Sequence, residues 1–159
     1  MQWSRLLSIS IRDAVPGDAA TIAQFNDNMA RETEGHGLDT ETITTGVARL
    51  LADCSKGRYW LAEYDGKVVG QIMVTYEWSD WRNGTIWWIQ SVYVSPAVRR
   101  KGIFSALYQH VESLARSDAD ACGLRLYVER NNVAAQDTYR HMGMTMTGYQ
   151  VMEADFTAV

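Results

Sequence analysis

The run Arg99-Arg100-Lys101-Gly102-Ile103-Phe104 is the stretch of this chain best suited to hold an anion. It falls between a strongly apolar strand-like segment ending at Ser95-Pro96 and a strongly helical one that follows. A helix N-terminus presents N–H groups without intrahelical acceptors and a partial positive charge. A glycine there lets a ligand approach the backbone, and neighbouring cations add longer-range attraction. The nucleoside-triphosphate pattern GxxxxGK[ST] is absent. A second group of residues suits cations instead. Glu77-Trp78-Ser79-Asp80-Trp81 interleaves carboxylates with indoles, which attract ammonium through charge and ring faces. Glu32, Glu34 and His36 add a further acidic, polar stretch. No Cys/His spacing suggests zinc, so no metal site is expected, and Cys54 and Cys122 read as buried thiols.

These groups need a scaffold, and the chain supplies an ordinary one. It has 159 residues, 47% hydrophobic and 21% charged, enough for a single domain, 1–159. A net charge of −4 disfavours nucleic acid as a partner. No segment reaches the ~20 apolar residues of a membrane span, and the start lacks a signal-peptide pattern, so a cytoplasmic location is expected. Ser8–Asp13 reads as a strand and Pro16-Gly17-Asp18 as the cap of a helix carrying Ile22, Phe25 and Met29. Residues 31–39 read as a loop and 40–54 as a second amphipathic helix. Asp65-Gly66 joins strands 58–64 and 67–78, and Asn83-Gly84 is a second hairpin signal, leading into strand 85–95. That strand is apolar on both faces and therefore central; Trp87 and Trp88 face opposite sides, so at least one is core. Phe104, Leu107, Tyr108, Val111, Leu114 and Ala115 mark the clearest helix. Strand 123–129, helix 132–142 and strand 145–156 complete the order β-α-α-β-β-β-α-β-α-β. The final β-α-β-α units demand a parallel strand pair inside a mixed sheet, with helices on both faces.

In this setting the basic-glycine loop resembles the Gln/Arg-x-x-Gly-x-Gly/Ala loop of the GNAT superfamily of acyl-CoA-dependent N-acetyltransferases. The segment Asn132-Val133-Ala134-Ala135-Gln136-Asp137-Thr138-Tyr139, followed by Met142-Gly143, resembles the family's Asn-x-x-A/S-x-x-x-Tyr segment. The likeness runs over nearly the full chain. It implies an α/β fold with a mixed, mostly antiparallel central sheet, splayed parallel strands 4 and 5, and helices on both faces. It implies acetyl-CoA as co-substrate, with no metal. The main chain of Val92, Tyr93 and Val94 would meet the acetyl carbonyl and pantetheine amides. Arg99, Arg100, Lys101, Gly102, Ile103, Phe104 and Ser105 would hold the pyrophosphate, and Asn132 would reach the pantetheine arm. Phe104 replaces the family's second glycine, so only its backbone N–H can serve, while its ring reads as core.

The resemblance also implies that Tyr139 hydrogen-bonds the departing sulfur. A phenol near pKa 10 protonating a thiolate near 8.5 is uphill by about 2 kcal/mol, so Tyr139 reads as a donor more than as a complete acid. Some relatives carry a glutamate base where Gln90 stands, and glutamine cannot take the amine's proton. A lysine-like amine costs about 4.6 kcal/mol to deprotonate at pH 7, an α-amine about 1 kcal/mol. Either the base lies elsewhere, with Glu77 and Asp80 the nearest by topology, or the acceptor is weakly basic. Glu32, Glu34, Glu77, Asp80 and Trp81 are the residues expected to bind the acceptor. The reading is an N-acetyltransferase for a primary amine of a small molecule, polyamine-like or amino-acid-like, attacked directly in a ternary complex. A non-catalytic acyl-CoA sensor or interaction module is the alternative. Dimers are common in the resembling family, which makes a homodimer an expectation.

Overall fold

The computed structural model describes residues 8–157. The chain forms two compact units that meet at Tyr127/Val128. The first holds strands β1 (Ile9–Asp13), β2 (Arg58–Tyr64), β3 (Lys67–Ser79), β4 (Gly84–Val94) and β5 (Ala121–Leu126), with helices α1 (Ala19–Glu34), α2 (Thr40–Leu51) and α3 (Ile103–Ser117). The second holds α4 (Val133–His141) and the residues after it.

The sheet order is β1-β2-β3-β4-β5; all neighbours are antiparallel except β4 and β5, which run parallel. Side-chain alternation assigns the two faces. Tyr59, Leu61 and Met73 pack with Ile22, Ala23 and Val47 of α1 and α2. Trp60, between Tyr59 and Leu61, points the other way, stacking on Trp87 at 6.4 Å and meeting His110 of α3 at 6.0 Å. On α3, Ile103, Leu107, Val111 and Ala115 are buried at helical spacing. Gly70 lets α3 sit close, since a Cβ there would lie 3.3 Å from Ile103 and 3.4 Å from Leu107.

Several boundaries differ from the sequence reading, each for a local reason. The loop expected over 31–39 is helical through Glu34, and Gly35, at φ 77°, ends the helix in the left-handed region. Asp18 stands at the N-cap of α1 without capping it; its carboxylate accepts from the Val15 N–H and pairs with Arg12 at 2.8 Å. Asp39 does cap α2, accepting from the Thr42 N–H. The β3–β4 hairpin exists, but its turn is Asp80–Asn83, closed by Asn83 N–H to the Asp80 carbonyl; Gly84 already pairs with Ser79. Gly84 serves a close approach instead, because a Cβ there would stand 2.9 Å from the Asp120 carbonyl and from Cys122 Cβ. Cys54 and Cys122 are exposed, not buried: one follows α2 in a turn and the other lies on an edge strand. The expected strand 145–156 is not formed. Its alternating residues find no register partner among those described, and Tyr149, Val151, Met152 and Phe156 are largely exposed.

Candidate active site

The parallel ladder between β4 and β5 ends at Ile89 opposite Leu126. Beyond it β4 continues through Gln90–Val94, with register partners among the described residues only on β3. Within that stretch β4 carries an extra residue. Gln90 pairs with Met73 and Tyr93 with Gln71, so Ser91 and Val92 together oppose Ile72. The bulge puts Ser91 at φ 50°, an unusual conformation for a residue with a Cβ. An unpaired, bulged strand end offers backbone donors and acceptors that an amide-rich ligand can use.

A buried polar chain holds the bulge. Gln71, fully buried, donates from Nε2 to the Ser91 carbonyl at 3.1 Å and to Asn26 Oδ1 at 3.0 Å. Asn26 donates in turn to the Tyr59 hydroxyl at 3.0 Å. Burial pushes the Tyr59 phenol above its ordinary value of 10, only partly offset by hydrogen bonds with Asn26 and Ser91. It therefore stays protonated at neutral pH. Sequence reasoning missed this chain, although Asn26, four residues after Ile22 on the apolar stripe of α1, was a readable sign.

On one side of the bulge lies the basic loop. Arg100 and Gly102 both have positive φ, 64° and 83°, which turns the chain sharply into α3. Gly102 is the N-cap of α3 and brings no side chain to it. Nothing stands within 4 Å of where its Cβ would be, so the helix start is open to a ligand. The three cations are not equivalent. Arg99 is engaged: it binds both Glu32 carboxylate oxygens at 2.8 and 2.9 Å, donates to the Val94 carbonyl at 2.9 Å, and lies over the Tyr93 ring. Arg100 and Lys101 are exposed, with the Lys101 ammonium 5.4 Å from the centre of the Tyr64 ring. Phe104 is half-buried, its ring 6.4 Å from that of Tyr108 along α3. An open, glycine-capped helix start beside an unpaired strand end fits a ligand that joins a pyrophosphate to an amide chain.

On the other side lies a groove of about 410 Å³ between α1, α2 and the sheet. Its inner end is polar, with Asn26, Tyr59 and Ser91; its walls include Met29, Ile43, Val47, Leu50 and Met73. Of the residues expected to bind an acceptor, Glu34 lines this groove. Glu32 instead ties α1 to the basic loop through Arg99. Gln90 donates to Thr75 Oγ1 at 2.6 Å, on the same face. Glu77 pairs with Arg125 at 3.1 Å, five residues along β3 from Ile72 opposite the bulge, about 17 Å for an extended strand. Asp80 and Trp81 sit at the hairpin tip, on the order of 20 Å from the bulge. There Asp80 accepts from the Trp81 N–H, and the Trp81 side chain is 92% exposed. Trp87 is core; Trp88 stacks on Tyr127 at 4.6 Å.

In the second unit Asn132 caps α4, its Oδ1 accepting from the Ala135 N–H at 3.1 Å. Tyr139 lies half-buried in the last turn of that helix, and Gly143, at φ 91°, follows the helix.

The model of the acetyltransferase (GNAT) family matches residues 24–144, from α1 through the bulged strand, the basic loop and α4. The chain belongs to the GNAT acetyltransferase family. A protein from Clostridium difficile 630 described as a possible acetyltransferase is 47% identical, with a TM-score of 0.88 over 94% of this chain and 99% of that one. The ribosomal-protein-alanine N-acetyltransferase of Brucella melitensis biovar Abortus 2308 shares the GNAT fold at 18% identity, with a TM-score of 0.73 over 94% of this chain and 100% of its own. The mycothiol acetyltransferase of Mycolicibacterium gilvum (strain PYR-GCK) is 29% identical over 86 residues, which is 52% of this GNAT chain and 28% of that longer protein. GNAT proteins use acetyl-CoA as co-substrate. Among the described residues no helix is long and apolar enough to cross a membrane.

Proposed function

We propose that this GNAT protein is an N-acetyltransferase acting on a primary amine of a small molecule, with acetyl-CoA and amine bound at the same time. The observation that carries this is the end of β4. The strand loses its β5 partner after Ile89 and bulges at Ser91, between the glycine-capped start of α3 and the α1–α2 groove.

Bound acetyl-CoA supplies an activated acyl group: a C–N bond to the acceptor forms as the C–S bond breaks, leaving an amide and a thiol. The chain's own part is binding, orientation and proton placement. Gly102, Ile103, Phe104 and Ser105 hold the pyrophosphate through their backbone, helped by the charges of Arg100 and Lys101. Arg99 contributes by fixing the loop to α1 through Glu32. The main chain of Val92, Tyr93 and Val94 orients the pantetheine and acetyl groups. In the second unit, Asn132 is assigned to the pantetheine arm through the family's motif, with its Oδ1 capping α4. Placing amine and acyl carbon together supplies much of the rate. Tyr139 is assigned as hydrogen-bond donor to the departing sulfur through the family's motif. Gln90 takes no proton; its Nε2 donates to Thr75 Oγ1, and its proposed role is to hold a water through its amide.

Release of thiol from acetyl-CoA across a panel of amines tests the reading. The expected result is CoA production with at least one amine, falling about 100-fold in kcat for Tyr139→Phe. Acetyl-CoA binding with no CoA from any amine would favour a non-catalytic acyl-CoA-binding module.

A further inference from the structure

Resting on that reading, the groove identifies the acceptor's chemical class. We infer that the acceptor is a primary amine with a slender apolar body, alkyl or arylalkyl, and that Gly46 keeps room for that body.

Two observations of the groove converge. The first is the chemistry of the walls. Met29, Ile43, Val47, Leu50 and Met73 are apolar, and Glu34 is the one charged side chain among the residues lining the groove. A polyamine would carry further ammonium groups along walls with a single carboxylate to receive them, and desolvating an unpaired ammonium is costly. Thr33 and Glu34 line the groove where α1 is exposed, whereas its buried polar side chains, Asn26 and Tyr59, lie with Ser91 of the bulge. An amine entering head first meets hydrogen-bonding groups there and leaves its carbon chain against the apolar walls.

The second is Gly46. It stands in the interior of α2 (Thr40–Leu51), where glycine costs about 0.8–1.0 kcal/mol relative to alanine. Its φ is not in the positive range that would require glycine, and a Cβ would meet nothing within 4 Å. Gly46 is exposed, and neither backbone conformation nor close packing asks for glycine at this position, yet it lines the groove. What its missing side chain preserves is space for a ligand.

For such an amine the cost of deprotonation, about 4.6 kcal/mol at pH 7 for a lysine-like group, falls on entry into the groove. Burial in apolar surroundings disfavours an ammonium and lowers its pKa. The groove thus favours the neutral amine, whose former proton goes to solvent on entry, and neither Gln90 nor the protonated Tyr59 has to accept it.

The test is kcat/KM for propylamine through hexylamine, phenethylamine, 1,6-hexanediamine, spermidine and free amino acids, in wild type and in Gly46→Ala and Gly46→Trp. Wild type is expected to gain about fourfold per methylene, which corresponds to about 0.8 kcal/mol. It is also expected to prefer hexylamine over 1,6-hexanediamine by at least about tenfold. Gly46→Trp should collapse the hexylamine-to-propylamine ratio, and Gly46→Ala should lower it partway. Acetyl-CoA affinity measured by calorimetry, together with the melting temperature, reports that both variants are folded. A flat chain-length series, a preference for the diamine, spermidine or amino acids, or an unchanged ratio in Gly46→Trp overturns the inference while leaving acetyl transfer intact. A solution mass that is that of a dimer in wild type and of a monomer in Gly46→Trp, alongside a flat series, would assign the groove to a second copy of the chain instead. No CoA from any amine overturns the acetyl-transfer reading itself, a different pattern from all of these.

Discussion

Toward α3, the end of β4 offers main chain: a strand edge that has lost its β5 partner after Ile89 and a helix start capped by Gly102. Toward α2 it offers side chains: the walls of the groove, with Glu34 at its edge. The difference teaches why one substrate could be named early and the other could not. A site made of backbone needs particular conformations in a particular order, and these leave glycines and spacings in the sequence. A site made of side chains depends on which helix faces which strand, and that is settled only by packing.

The two sides share one hinge, and breaking it should have the largest effect. Gln71→Leu removes the donors to the Ser91 carbonyl and Asn26, leaving buried acceptors unpaired. Stability should fall by about 2 kcal/mol in chemical denaturation. Efficiency should drop for acetyl-CoA and for the amine alike. A loss confined to one substrate would mean that the bulge does not couple the two sides.

Gly102→Val separates them. A β-branched residue in the left-handed region is strained by about 1–2 kcal/mol, and the strain falls at the helix start. The KM for acetyl-CoA should rise about tenfold, while relative rates among amines at saturating donor stay as in wild type. Glu32→Gln is expected to do less. The Glu32–Arg99 pair is half exposed, and such pairs contribute about 1 kcal/mol or less. The KM for acetyl-CoA should change less than about fivefold, and less still at high salt.

The smallest effect concerns pH. A phenol raised above 10 in the folded state contributes stability that is complete below the unfolded value and is lost as pH rises through the folded one. Denaturation at pH 8 and above pH 10 should show that alkaline loss, smaller in Tyr59→Phe. Tyr76 and Tyr108, also raised by burial, keep their share.

The sequence carried the element order through α4, the central place of β4 and the basic loop, because periodicity and glycine placement encode them directly. It misread strand 145–156, whose alternation gives β propensity but no partner in the described chain. It grouped Asp80 and Trp81 with the acceptor because acid and indole are adjacent in sequence, whereas β3 carries them to the far end of its hairpin. Neither Ser91 at φ 50° nor the role of Gly46 could be seen until β4 and α2 were placed against each other.

The most direct measurement is initial velocity with acetyl-CoA and hexylamine varied together. If donor and acceptor occupy the two sides of β4 at once, double-reciprocal plots intersect. Parallel lines would mean that the acetyl group rests on the protein between substrates, and would contradict the account.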